Sequence, residues 1–125
     1  MRNALKSRML LRILFATLVC TLIPSAAFAH AVLESSTPAN GSTVHGPDVN
    51  IVLHYNSRVD GMRSSLGIVN AGPHRSKAAI TMEPQRSPNE LRAHAHLSPG
   101  KYEILWQALA TDGHITRGIV NFTVQ

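Results

Sequence analysis

His30 follows directly on the run "AFA", and this junction is the first place in the chain where side-chain chemistry stands out. A small-x-small pattern is what a signal peptidase cuts, so the sequence predicts cleavage between Ala29 and His30. A histidine at a new N-terminus offers two donors, its α-amine and its imidazole Nδ1, which close a chelate ring on one metal ion. Far along the chain, "TDGHITRG" (111–118) sets Asp112 and His114 on either side of a glycine. A carboxylate and an imidazole at that spacing can converge on one cation, with Gly113 free to take the backbone angles this needs. Taken alone, Asp-Gly is also a plain turn signal. Joined to His30, the motif completes a set of three nitrogens, with Asp112 either an oxygen ligand or the partner that orients one of them. Donors of this kind favour Cu(II), one ion per chain, in tetragonal geometry.

The elements that must position these residues begin after a leader. Arg2, Lys6, Arg8 and Arg12 make a basic front. The apolar run "ILFATLVCTLI" is of secretory length and too short to span a bilayer comfortably, so residues 1–29 read as a cleaved signal peptide rather than an anchor. Cys20, the only cysteine, leaves with it. An exported domain without cysteine has no disulfide, and its metal ligands must be nitrogen, oxygen or thioether. The full chain carries 12 Lys+Arg against 7 Asp+Glu, yet four of the basic residues lie in the leader. The pI near 10.2 is therefore an effect of targeting. It gives no support to nucleic-acid binding, which needs a basic stripe on the folded domain. Residues 30–125 suit one domain of ordinary small size. They hold no further stretch apolar enough to span a membrane, and the mature protein is expected to be soluble.

Strand patterns separated by turn chemistry fill that domain, which predicts an all-β sandwich or barrel of about seven strands. "AVLESS" runs into "TPANGS", where Pro, Asn and Gly force a turn. "VNIVLHY" sets Val49, Ile51 and Leu53 on one face. "SLGIVN" sets Leu66 and Ile68 in phase, and "AAITM" and "ELRAHAHL" flank the polar loop "EPQRSPN". "KYEILWQALA" puts Tyr102, Ile104, Trp106 and Ala108 on one face, and "GIVNFTVQ" aligns Val120, Phe122 and Val124. Trp106 and Phe122 are expected at the centre of the core. No window shows a helical period with caps. Of the other histidines, His94 and His96 share a face of one strand but lack an evident third ligand, and read as solvated. His54 reads as a packed or hydrogen-bonded strand residue, His45 and His74 as turn residues, and Glu34 as an outward strand position.

The mature chain resembles the CopC family of periplasmic copper-binding proteins. The resemblance is carried by "HAVLESSTPANGS", "IVLHYNSRV", "GKYEILWQALATDGHITRG" and the closing "VNFTV", spread over nearly all of residues 30–125. It implies a Greek-key, immunoglobulin-like β-sandwich that binds Cu(II) through the N-terminal amine and imidazole, the histidine of Asp-x-His and nearby oxygens. Carried over, those are His30, His114 and Asp112. Two departures stand out. Many relatives have a glutamate after the "LHF" or "LHY" strand, where this chain has Asn56 and Ser57. Some relatives also carry a methionine-rich loop for Cu(I). Here the corresponding segment, "NAGPHRSKAAITMEP", has Met82 with His74, and Met62 is the one other methionine beyond the leader. Thioethers are what Cu(I) selects, so a separate Cu(I) site is not expected.

Three functions follow for weighing. The favoured one is a non-catalytic periplasmic carrier in copper homeostasis or resistance, passing its ion to an inner-membrane copper transport protein. The alternative is a small copper oxidoreductase, because a histidine brace is also the centre of lytic polysaccharide monooxygenases. Those enzymes usually need a larger chain with a flat, aromatic substrate surface, and this chain has two tyrosines, one tryptophan and three phenylalanines. The third, a metal-free adhesion module, leaves His30 unexplained.

Overall fold

The computed structural model describes residues 30–125 and, ahead of them, Arg8 alone. The leader expected over residues 1–29, with Cys20 and the residues before the cleavage point, otherwise lies outside the described residues. Every element of residues 30–125 is a strand: β1 (Leu33–Thr37), β2 (Ser42–Val44), β3 (Asp48–Tyr55), β4 (Ser65–Asn70), β5 (Lys77–Ala78), β6 (Thr81–Glu83), β7 (Glu90–His96), β8 (Gly100–Leu109) and β9 (Ile115–Val124). They form a four-stranded sheet, ordered β1-β3-β7-β6, and a five-stranded sheet, ordered β2-β9-β8-β4-β5.

Nine strands replace the expected seven for two local reasons. "AAITM" is one apolar run, but the chain changes sheets within it: β5 pairs with β4, whereas β6 pairs with β7. The three residues of β2 follow the Gly41 turn and pair parallel with the end of β9. Their own pattern is too short to announce a strand. Gly41, at φ +79°, takes the left-handed conformation that a side chain disfavours.

Alternation along the long strands builds the core between the sheets. Val49, Ile51, Leu53 and Tyr55 of β3 are buried, as are Leu91, Ala93 and Ala95 of β7. They face Leu66 and Ile68 of β4, Tyr102, Ile104 and Ala108 of β8, and Val120, Phe122 and Val124 of β9 within one apolar cluster. Burial of such side chains, about 1.5–3 kcal/mol each, is the main force holding the layers together. Phe122 is central as expected and stacks on Tyr102, with ring centroids 5.8 Å apart. Trp106 is not central. It is partly buried at the margin of the cluster, edge-on to Tyr55 at 5.5 Å. Its ring lies against the backbone of its β9 partner Gly118, where an added Cβ would come within 2.5 Å of it. The missing side chain makes room for the indole. No helix among the described residues is long and apolar enough to cross a membrane.

Candidate metal centre

The β8–β9 hairpin presents Asp112 and His114 at its tip. Leu109 faces Ile115 at the last paired position, and the Ala110 amide donates to the His114 carbonyl at 2.9 Å, closing the loop. Gly113 supplies the tight turn at φ +88°, its amide donating to the Ala110 carbonyl. One carboxylate then fixes His114 twice. Asp112 Oδ1 accepts the His114 backbone N–H at 3.0 Å, and Oδ2 lies 2.9 Å from the ring Nδ1. An Asx turn of this kind is what aspartate does well in a loop. With Nδ1 held by a carboxylate, the other ring nitrogen, Nε2, is left for a metal.

These contacts hold the Asp112 carboxyl below its ordinary value of 3.8. The His114 backbone N–H contributes most, partial desolvation opposes it, and the His114 and His30 rings add smaller pulls. The group is therefore a carboxylate at neutral pH, as an oxygen donor must be.

His30 reaches the same place from the opposite end of the chain, because the residues just after it are clamped. Ala31 is fully buried, and its carbonyl accepts a 2.6 Å hydrogen bond from Thr116 Oγ1. Asn56 grips Val32 on both sides: Val32 N–H donates to Asn56 Oδ1 at 2.8 Å, and Asn56 N–H donates to the Val32 carbonyl at 3.0 Å. A terminus frays unless its backbone is tied down, and here it is tied within one residue of the imidazole. The clamp on the β9 side is two residues from His114, so one short stretch of strand positions both histidines. Their rings meet edge to face, centroids 4.3 Å apart.

The structure thus brings together all three sequence-predicted residues. One potential donor atom from each of His30, Asp112 and His114 lies within 4.8 Å of the others, the one such trio among the described residues. A cation with ligands about 2.0–2.2 Å away fits between donors at those separations after small ring adjustments. His114 and Asp112 are both exposed residues and His30 is half-buried, so the centre opens to solvent at the hairpin tip.

The two anchoring residues were not foreseen. Thr116 lies in the inward phase of β9, with Gly118, Val120, Phe122 and Val124, and a hydroxyl there was the available signal. Asn56 stands at the position singled out for its missing glutamate, and it holds the backbone of the N-terminal segment rather than adding a charge. The remaining histidines mostly stand as expected. His45 and His74 are exposed, and so is Glu34. His54 is more exposed than a packed residue, 3.9 Å from Glu90. Met62 and Met82 are exposed and sit on a turn and on β6 respectively.

Comparison with known proteins bears on the fold and the family. A family model described as the CopC domain matches residues 33–125, beginning three residues after His30. Copper resistance protein C of Pseudomonas syringae pv. tomato is 30% identical over 111 residues, covering 83% of this chain and 87% of that protein. Protein YobA of Escherichia coli K12 is 26% identical over 117 residues, covering 92% and 94%. Among solved structures, PcoC, a methionine-rich copper resistance protein from Escherichia coli, superposes with a TM-score of 0.72 at 26% identity, over 78% of this chain and 100% of PcoC. CopC from Methylosinus trichosporium OB3b gives 0.69 at 26% identity, over 77% and 94%.

Proposed function

The chain belongs to the CopC family, and on that premise we propose that it is an exported carrier holding one Cu(II) per chain at His30, His114 and Asp112. The observation that carries this reading is the convergence of those three side chains from two distant segments. Cleavage after Ala29 gives His30 a free α-amine, so that the amine and imidazole of His30 and the His114 ring supply three nitrogens. Asp112 completes the set as an oxygen donor or as the group that aims His114. Nitrogen donors with one carboxylate suit Cu(II), which stands at the top of the divalent affinity order.

The reading includes residues 1–29 as a signal peptide, a periplasmic location and a non-enzymatic role, with transfer of the ion to an inner-membrane copper transport protein. A carboxylate so close to His114 favours holding the ion over leaving a coordination position for oxygen. The methionine richness for which PcoC is named has no counterpart here, since this chain has four methionines in all and two fall within the leader. Reduction to Cu(I) therefore loosens the ion, as a site without thioethers requires. Titration with Cu(II) followed by electron paramagnetic resonance tests the assignment. His114→Ala should remove one nitrogen coupling and lower the affinity by orders of magnitude, and an unchanged spectrum would refute it.

A further inference from the structure

Asp48, His94 and His96 meet on the outer surface of the four-stranded sheet, away from the β8–β9 hairpin tip. On β7 the buried Leu91, Ala93 and Ala95 alternate with Arg92, His94 and His96, so the two imidazoles share the solvent face. Successive residues on one face of a strand stand about 6.5 Å apart. On the neighbouring strand Asp48 is directly opposite His96 in register, and Asn50 opposite His94. The register brings both rings to one oxygen: Asp48 Oδ1 lies 2.9 Å from His96 Nδ1 and 3.8 Å from His94 Nε2. The sequence offered the histidine pair without a third partner. The pairing of β3 with β7 supplies it.

We infer that Asp48, His94 and His96 form a second, weaker binding site for a borderline divalent cation, zinc or surplus Cu(II). Two imidazoles and a carboxylate are a donor set that zinc and copper both accept, with remaining positions filled by water. Ligand atoms bound to one ion about 2.1 Å away lie at most about 4.2 Å apart, and both histidine–aspartate separations already fall inside that limit. The two imidazole donors lie farther from each other than the 4.8 Å that bounds the His30 trio, so the rings must rotate toward each other to share an ion. They are free to do so, because the His94 and His96 side chains are 40% and 72% exposed. That rotation, and the absence of a chelating amine, make the site the weaker one. Arg92, next on the same face, would repel a cation, but Glu83 and Glu90 at 3.6 and 3.8 Å draw its charge along the sheet. The site shares no residue with the His30 centre, so neither assignment depends on the other.

Zn(II) alone is the probe, added to purified protein carrying His114→Ala while the imidazole resonances are followed by nuclear magnetic resonance. The His94 and His96 signals should move together to saturation at one ion. Asp48→Asn should weaken that binding about 10-fold or more, and His94→Ala with His96→Ala should abolish it. The same double change in the otherwise unaltered chain should lower the number of bound zinc ions by one, which keeps the test independent of the His114 variant. His94 and His96 signals that stay still at millimolar zinc would overturn the inference. So would an affinity unchanged by Asp48→Asn, which would leave the three groups as a surface hydrogen-bonded cluster only.

Discussion

Thr116→Val touches no proposed ligand and should nevertheless weaken Cu(II) binding. The substitution keeps a β-branched side chain of similar shape in β9 and removes only the hydroxyl that donates to the Ala31 carbonyl. Ala31 is wholly buried, so its carbonyl is left without that partner away from water. A buried acceptor stranded in this way costs about 1–3 kcal/mol. The chain can escape that cost by letting residues 30 and 31 peel away from the hairpin. Metal binding must then bring them back, and the penalty is transferred to the affinity. At about 1.4 kcal/mol per tenfold, 1–3 kcal/mol corresponds to a loss of about 5- to 150-fold. Competition against a Cu(II) chelator of known strength measures that loss. Paramagnetic resonance of the saturated variant should keep the parent's nitrogen couplings, because every ligand remains. An affinity equal to that of the parent would refute the idea that anchoring of Ala31 positions His30. A changed coupling pattern would show that Thr116 acts on the coordination itself.

Further tests reach the other parts of the arrangement. Asp112→Asn should lower Cu(II) affinity by about 10- to 100-fold, the range for groups that orient a ligand, as measured by the same competition. Asp112 has a folded value below 3.8, so its pairing with His114 stabilises the apo fold above that pH and is lost as pH falls through the folded value. Acid unfolding followed by circular dichroism should show this component in the parent and not in Asp112→Asn. Copper release should begin at a higher pH than that acid unfolding, because protons compete with the metal for its nitrogen donors. Gly118→Ala would drive a methyl to 2.5 Å from the Trp106 ring. Overpacking of about 1–3 kcal/mol should lower the melting temperature by roughly 4 °C or more and alter the indole fluorescence; a variant matching the parent in both would contradict the packing described.

How far the sequence reaches is visible in particular residues. Period-two alternation in long strands identified the inward faces of β3, β4, β8 and β9, because a half-buried strand must alternate. It failed for β2 and for the β5–β6 switch, where segments of two or three residues are too short to carry a period and pairing partners decide the structure. It also put Trp106 in the centre by phase alone. The phase is right, but the indole sits at the margin, over a glycine on the adjacent strand that the Trp106 segment does not reveal. At the candidate site, His30, Asp112 and His114, which the structure brings together, were singled out by chemistry and spacing. The contacts that hold them, Thr116 to Ala31 and Asn56 to Val32, join residues 85 and 24 apart and depend on how the strands are arranged. The same holds for Asp48 beside His94 and His96, where register across two strands completes a set that one strand only begins.

The central claim is that His30 acts through both its imidazole and an α-amine freed by processing, and one comparison addresses it directly. Cu(II) affinity is measured for the protein beginning at His30 and for the same protein with Ala29 retained in front. The extra residue changes no side chain of the centre and replaces the amine by a peptide nitrogen. Far tighter binding by the chain that starts at His30, with one more nitrogen coupling in its spectrum, is the expected result. Equal affinities for the two forms would contradict the account.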